Sequence, residues 1–153
     1  IEQTGADTSI VARVPHSSGL LNEHVRPDTE LEDGDHRGFR PDAWYETGWE
    51  KLETLRFLER DGERTMGQAA IQWLLSHDAV ASVTPTFYTA DDIREWAAAS
   101  ETPPLSDEEV QRVEELYQTN FGIDRDDGMD SLRSSVGGDD IRSAGVDKQA
   151  ADD

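Results

Sequence analysis

The sequence predicts an α/β fold built on parallel strands, and two observations carry that expectation. Two short β-branched runs, SIVARV and AVASVT, each close on a proline, and segments of helical periodicity separate and follow them. Three tetrapeptides, TMGQ, TADD and SDEE, have the spacing of capping boxes and mark where helices open.

In chain order, residues 9–14 read as a short buried strand stopped by Pro15, followed by the small-residue turn PHSSGLL. Residues 22–41 are polar, carry Pro27, Gly34, Gly38 and Pro41, and read as a long loop of the functional or mobile kind. From Asp42 the period changes: Trp44, Trp49, Leu52, Leu55 and Leu58 put one apolar face on a helix that Gly62 stops. The box at 65–68 opens a second helix through Ala69, Ala70, Trp73 and Leu74 to His77. Residues 79–84 are the second strand, ended by Pro85. The box at 89–92 opens a helix to about Ala99, and the box at 106–109 opens one whose apolar face is Leu105, Val110, Val113, Leu116 and Tyr117. Two strands do not make such a sheet alone.

The first residues, IEQTGAD, read as a helix end and a glycine turn, which predicts further sequence upstream. Residues 1–122 form the folded portion and 123–153 a disordered acidic tail, because the tail loses periodicity and becomes rich in Asp, Ser and Gly. The stretch DRDDGMD at 124–130 has the look of a calcium loop but lacks its twelfth-position glutamate, so no calcium site is expected.

Net charge is −20, from 34 Asp and Glu against 14 Lys and Arg. With no basic patch to neutralise phosphates, nucleic-acid and anionic-membrane partners are excluded. Such a chain folds compactly where salt screens its carboxylates, the Debye length being about 3 Å at 1 M; Asp in excess of Glu with only two lysines fits a salt-adapted (halophilic) cytoplasmic protein. There is no cysteine, hence no disulfide or thiolate metal site. No apolar run approaches the ~18 residues of a membrane span, which predicts a soluble intracellular protein. His16, His24, His36 and His77 lack metal-ligand spacing, and no G-x-S-x-G surrounds Ser18. The strand-to-helix passage SVTPTFYTADDI reads either as an anion seat at a helix N-terminus or as an ordinary capped connection.

VARVPHSSGLL at 11–21, RFLERDGERTMGQAAIQWLLSHDAVASVTP at 56–85 and PPLSDEEVQRVEEL at 103–116 together resemble the C-terminal part of an aldo/keto reductase, in register over residues 8–121. The resemblance implies part of a (β/α)8 TIM barrel: its last two strands, their helices and a closing helix. It implies NAD(P)H-dependent carbonyl reduction by hydride transfer, with a nicotinamide cofactor and a small carbonyl substrate as partners. The family's catalytic Tyr, Lys, His and Asp belong to the first half of the barrel, so no catalytic residue is expected in this chain, and a missing N-terminal half is an expected partner.

Two cofactor elements of the family align here. In the loop after the first strand, Arg13 replaces the usual aromatic and can lay its guanidinium flat on the nicotinamide; Pro15 is kept, and Ser17, Ser18, Gly19 and Leu20 form the turn that covers the pyrophosphate. The second is the seat of the adenosine 2′-phosphate, over Thr86, Phe87, Tyr88 and Asp92. Thr86 takes the usual Gly position, Tyr88 the usual Arg and Asp92 the usual Gln, while Trp96 is either core or an adenine contact. A 2′-phosphate beside Asp92 with no Arg or Lys would be repelled. Either NAD replaces NADP, with a carboxylate receiving ribose hydroxyls, or cofactor binding is lost and the chain is a non-catalytic fragment serving, if anything, as partner to an N-terminal half. The barrel expectation requires the two strands to lie together with their proline-ended tips facing the same way.

Overall fold

The computed structural model describes residues 8–124. The expected upstream helix end and the acidic tail from residue 125 onward lie outside the described residues, and with them most of the Asp-rich 124–130 stretch.

The two β-branched runs form β1 (Ile10–Arg13) and β2 (Val80–Thr84). They pair in parallel, Arg13 opposite Thr84, with a register irregularity between Ile10 and Val11. Parallel neighbours need a crossover. Here it is α1 (Asp42–Thr54) and α2 (Met66–Leu75); α3 (Ala90–Ala98) and α4 (Asp107–Gln118) follow β2. Both strand ends, and with them Pro15 and Pro85, therefore face the same way, as the barrel expectation requires.

All three boxes are present as read. Thr65, Thr89 and Ser106 each accept from the backbone N–H three residues on, while Gln68, Asp92 and Glu109 reach back to the cap N–H. Each satisfies donors a helix N-terminus leaves unpaired, worth about 1 kcal/mol per cap.

Four expectations need correction. The first strand is not buried: it alternates half-buried with exposed, Val11 being 58% exposed, because no third strand covers it among the described residues. The helix from Asp42 stops at Thr54 rather than running to Gly62. Thr54 Oγ1 donates to the Lys51 carbonyl, and a 3-10 turn, Arg56–Leu58, tightens the chain so that Leu55 and Leu58, three apart, enter the same core. The second helix closes on Ser76 just before His77. Tyr117, assigned to the apolar face of α4, is 71% exposed, whereas Val113 is buried.

The main core joins Leu52, Leu55, Leu58, Met66, Ala69 and Val113, welding α1, α2 and α4. Its polar tie is Arg64, whose side chain is fully buried. The guanidinium donates to the carbonyls of Leu58 (2.8 Å) and Pro103 (3.0 Å) and to Glu109 Oε1 (2.6 Å). Burial pushes the Glu109 carboxyl up, but the Ser106 amide and Arg64 outweigh it and hold it below its usual range. Among the described residues no helix is long and apolar enough to cross a membrane.

Candidate functional site

The C-terminal ends of β1 and β2 meet at one rim, where Val14 N–H donates to the Thr84 carbonyl at 3.3 Å. Beyond it the backbone turns left-handed: φ is 54° at Val14, 49° at Ser17, 57° at Ser18 and 96° at Gly19. Only glycine adopts this without steric cost, and for β-branched Val14 it is a true outlier. Each of the three non-glycine residues, Val14, Ser17 and Ser18, costs about 1–3 kcal/mol and persists where the surroundings over-determine it, typically at a ligand-binding site.

The surroundings do so here. His16 is buried, its Nε2 donating to the Gly67 carbonyl at 3.1 Å and its ring 4.2 Å from that of Trp96. The N–H groups of Ser17, Gly19, Leu20 and Leu21 donate to carbonyls within the turn. Leu20 is buried with Val25 and Tyr45 beneath it, while Arg13 stands exposed at the end of β1.

Burial holds the His16 imidazole below its usual pKa of 6.5. Its folded-state pKa being depressed, the stability that depends on neutral His16 is complete above pH 6.5 and is lost as pH falls through the lower folded value, since the unfolded chain binds the proton first. Thermal melts from pH 7.5 to 5 should show this decline, and His16→Leu should make it shallower; an unchanged slope would mean that His16 is not its source.

The second tip is fixed with equal economy. Trp96 Nε1 donates to the Thr86 carbonyl at 3.2 Å, and the indole is buried against Ile71 and Ala99. Of its two readings, core is the one its burial supports. Asp92 is buried. Its Oδ2 accepts from the N–H groups of Tyr88 (2.7 Å) and Thr89 (3.0 Å), and the first of these bonds is the main reason its pKa is lowered. At this helix start the Tyr88 and Thr89 N–H groups are thus held by the Asp92 carboxylate and the Asp92 N–H by the Thr89 hydroxyl. Phe87 and Tyr88 remain exposed, 56% and 57%.

The 22–41 loop, read from the sequence only as a long loop of the functional or mobile kind, supplies the residues that sequence reasoning missed. Val25 anchors it in the core, Tyr45 OH donates to the Arg37 carbonyl at 2.8 Å, and Arg40 Nε donates to Ser18 Oγ at 3.2 Å. His24 Nε2 lies 3.4 Å from Asp92 Oδ1, and the Arg37 guanidinium lies 5.4 Å from the centre of the Tyr88 ring. A cation therefore does reach the Tyr88 tip, where the sequence alone offered none. It arrives paired, Arg37 Nε donating to both oxygens of Asp35 at 2.9 and 3.1 Å. The Asp-x-Arg spacing was the only signal for this in the sequence.

A cleft of ≈460 Å³ is lined by Arg13 and Pro15 of the first tip together with Trp44, Leu52, Trp73 and Phe121. Thr47 Oγ1 and Trp73 Nε1 are buried there without a hydrogen-bond partner among the described residues.

Residues 3–118 match the sequence model of the aldo/keto reductase family. Two solved structures of an aldo-keto reductase from Bacillus halodurans are similar. The holo form is 28% identical, with 71% of this chain and 32% of that chain covered and a TM-score of 0.48. For the apo form the values are 31%, 71%, 34% and 0.45. The chain thus spans about a third of the length of these relatives. No curated protein matches it.

Proposed function

Since this chain belongs to the aldo/keto reductase family, we propose that it is the closing portion of a (β/α)8 barrel whose intact form reduces a small carbonyl substrate with a nicotinamide cofactor. The cofactor supplies the hydride; the family's Tyr, Lys, His and Asp come from the first half of the barrel. This chain contributes a wall of the cofactor site. Arg13 and Pro15 lie toward the nicotinamide, Ser17, Ser18, Gly19 and Leu20 toward the pyrophosphate, and Thr86, Phe87 and Tyr88 toward the adenosine. The exposed β1 and the apolar cleft are where the rest of the barrel packs. The charge of −20 makes a salt-adapted cytoplasmic setting part of the same proposal.

The observation that supports this reading most is the strained left-handed turn at the shared rim of two parallel strands, a place where α/β folds bind ligands. At the adenosine end the fit to NADP is poor. The Asp92 carboxylate stands at the helix start, its oxygens engaged with Tyr88, Thr89 and His24, and Arg37 is closed by Asp35. A 2′-phosphate would meet unbalanced negative charge, which favours NAD.

NADH and NADPH should be titrated in molar salt into the chain co-expressed with a reconstructed N-terminal half. NADH is expected to bind about tenfold more tightly, a difference of ~1.4 kcal/mol, and Tyr88→Arg should narrow the gap. Preference for NADPH would overturn the electrostatic argument. Binding of neither would leave the chain a non-catalytic fragment.

A further inference from the structure

We propose that Arg40 is a positioning residue for the cofactor: fixed against Trp44, it holds Ser18 and keeps the left-handed Ser17–Gly19 turn in the shape that covers the pyrophosphate. The covering role rests on the reading given above; the brace itself does not. Ser18 has φ 57° and ψ 25°. The bonds inside the turn are long: Ser17 N–H to the Val14 carbonyl and Leu20 N–H to the Ser17 carbonyl at 3.2 Å, Gly19 and Leu21 N–H to the His16 carbonyl at 3.1 Å. Such lengths lie at the weak end of the N–H···O range. With Val14, Ser17 and Ser18 all left-handed, the turn needs support from outside itself.

That support comes from the 22–41 loop, which grips the turn at two adjacent residues. Val25 N–H donates to the Gly19 carbonyl at 3.0 Å, and Arg40 Nε donates to Ser18 Oγ at 3.2 Å. Val25 is buried, so the core fixes its grip. Arg40 is half-buried and is fixed by stacking: its guanidinium carbon lies 3.9 Å from the centre of the Trp44 ring and 4.9 Å from that of Phe39. Trp44, in the first turn of α1, meets Tyr45 edge-on with ring centres 5.0 Å apart. The Arg37 carbonyl accepts both the Arg40 N–H (3.1 Å) and the Tyr45 OH (2.8 Å), which ties the backbone of Arg40 to the buried Tyr45.

The arrangement calls for arginine. A planar guanidinium can lie on an indole while its Nε edge donates sideways to a hydroxyl; a lysine ammonium, a strongly hydrated point charge on a flexible stem, does not do both at once. The hydrogen bond joins residues 22 apart in sequence, so the shape of the turn depends on where α1 begins. A cofactor lying under the turn then meets Ser17, Ser18 and Gly19 already placed, and the entropy of ordering them is not lost on binding.

The full 153-residue chain without cofactor tests the brace. Hydrogen exchange in molar salt would follow the Gly19, Leu20 and Leu21 amides against that of Ala69, which donates to the Thr65 carbonyl at 2.9 Å in α2 and reports global opening. Arg40→Met keeps an apolar stem on Trp44 without the donor, and Ser18→Ala removes only the acceptor. Each should lower protection of the turn amides about fivefold, as for one hydrogen bond, with Ala69 unchanged. The double variant should lose no more than Arg40→Met alone, because both changes break the same bond. In the chain co-expressed with a reconstructed N-terminal half, NADH affinity should fall by a similar factor in both single variants, and Arg40→Lys, which keeps the charge, should not restore it. Unchanged exchange in the single variants, an additive double, or NADH binding by Arg40→Lys equal to the parent's would overturn the proposal. Exchange that responds in a chain whose parent binds no NADH would uphold the brace and overturn the cofactor reading instead.

Discussion

Arg64→Ala is expected to remove about 3–5 kcal/mol of folding stability, read as a lower urea midpoint in molar salt. The size follows from what is left behind. The guanidinium has no exposure, and its loss strands the Glu109 carboxylate, itself mostly buried, together with the carbonyls of Leu58 and Pro103. Arg60 reaches Glu109 only at 3.3 Å from a more exposed position and compensates little. A buried ion pair is strong evidence only when one member is removed. Arg64→Met combined with Glu109→Gln should therefore cost clearly less than Arg64→Ala, because no charge remains stranded. If the double variant is as unstable as the single one, packing rather than charge holds this junction.

Gly67→Ala should cost about 3 kcal/mol, the upper end for overpacking, although alanine is the better helix former by roughly 1 kcal/mol. The added Cβ would fall inside the Trp96 indole, 2.9 Å from Cη2 and nearer still to Cζ3, and a buried ring cannot swing aside as a flexible side chain can. The consequence reaches both tips. Trp96 holds the Thr86 carbonyl, His16 stacks on Trp96, and the Gly67 carbonyl receives the His16 ring. Thermal melting would read the loss, and tryptophan fluorescence would report the displaced indole. Gly62→Ala, at a φ of +71° with open space around it, serves as a contrast in which only backbone strain is paid, and Trp96 emission should not move.

Much of the fold was legible because it is written in local patterns. The boxes at Thr65, Thr89 and Ser106 each need only a polar cap and its partner three residues on, so reading them required no tertiary knowledge. The strands were legible from β-branched runs that proline must end. The long helix was misjudged at its end because Leu55 and Leu58 fit a helical period on paper, yet the core receives them from a 3-10 turn. Tyr117 was assigned inward by periodicity alone, and only packing reveals that nothing among the described residues covers it.

The sequence by itself determined the alternation of strand and helix, the three capped helix starts and the family, all of which are written in neighbours a few residues apart or in matching segments. Tertiary structure alone decided the site: His24 with Asp92, Arg37 with Tyr88, His16 with Gly67 and Trp96. Those partners are tens of residues apart, and such contacts form only when the chain folds back and the loss of loop entropy is repaid by burial. No local pattern encodes which loop residue lands on which helix start.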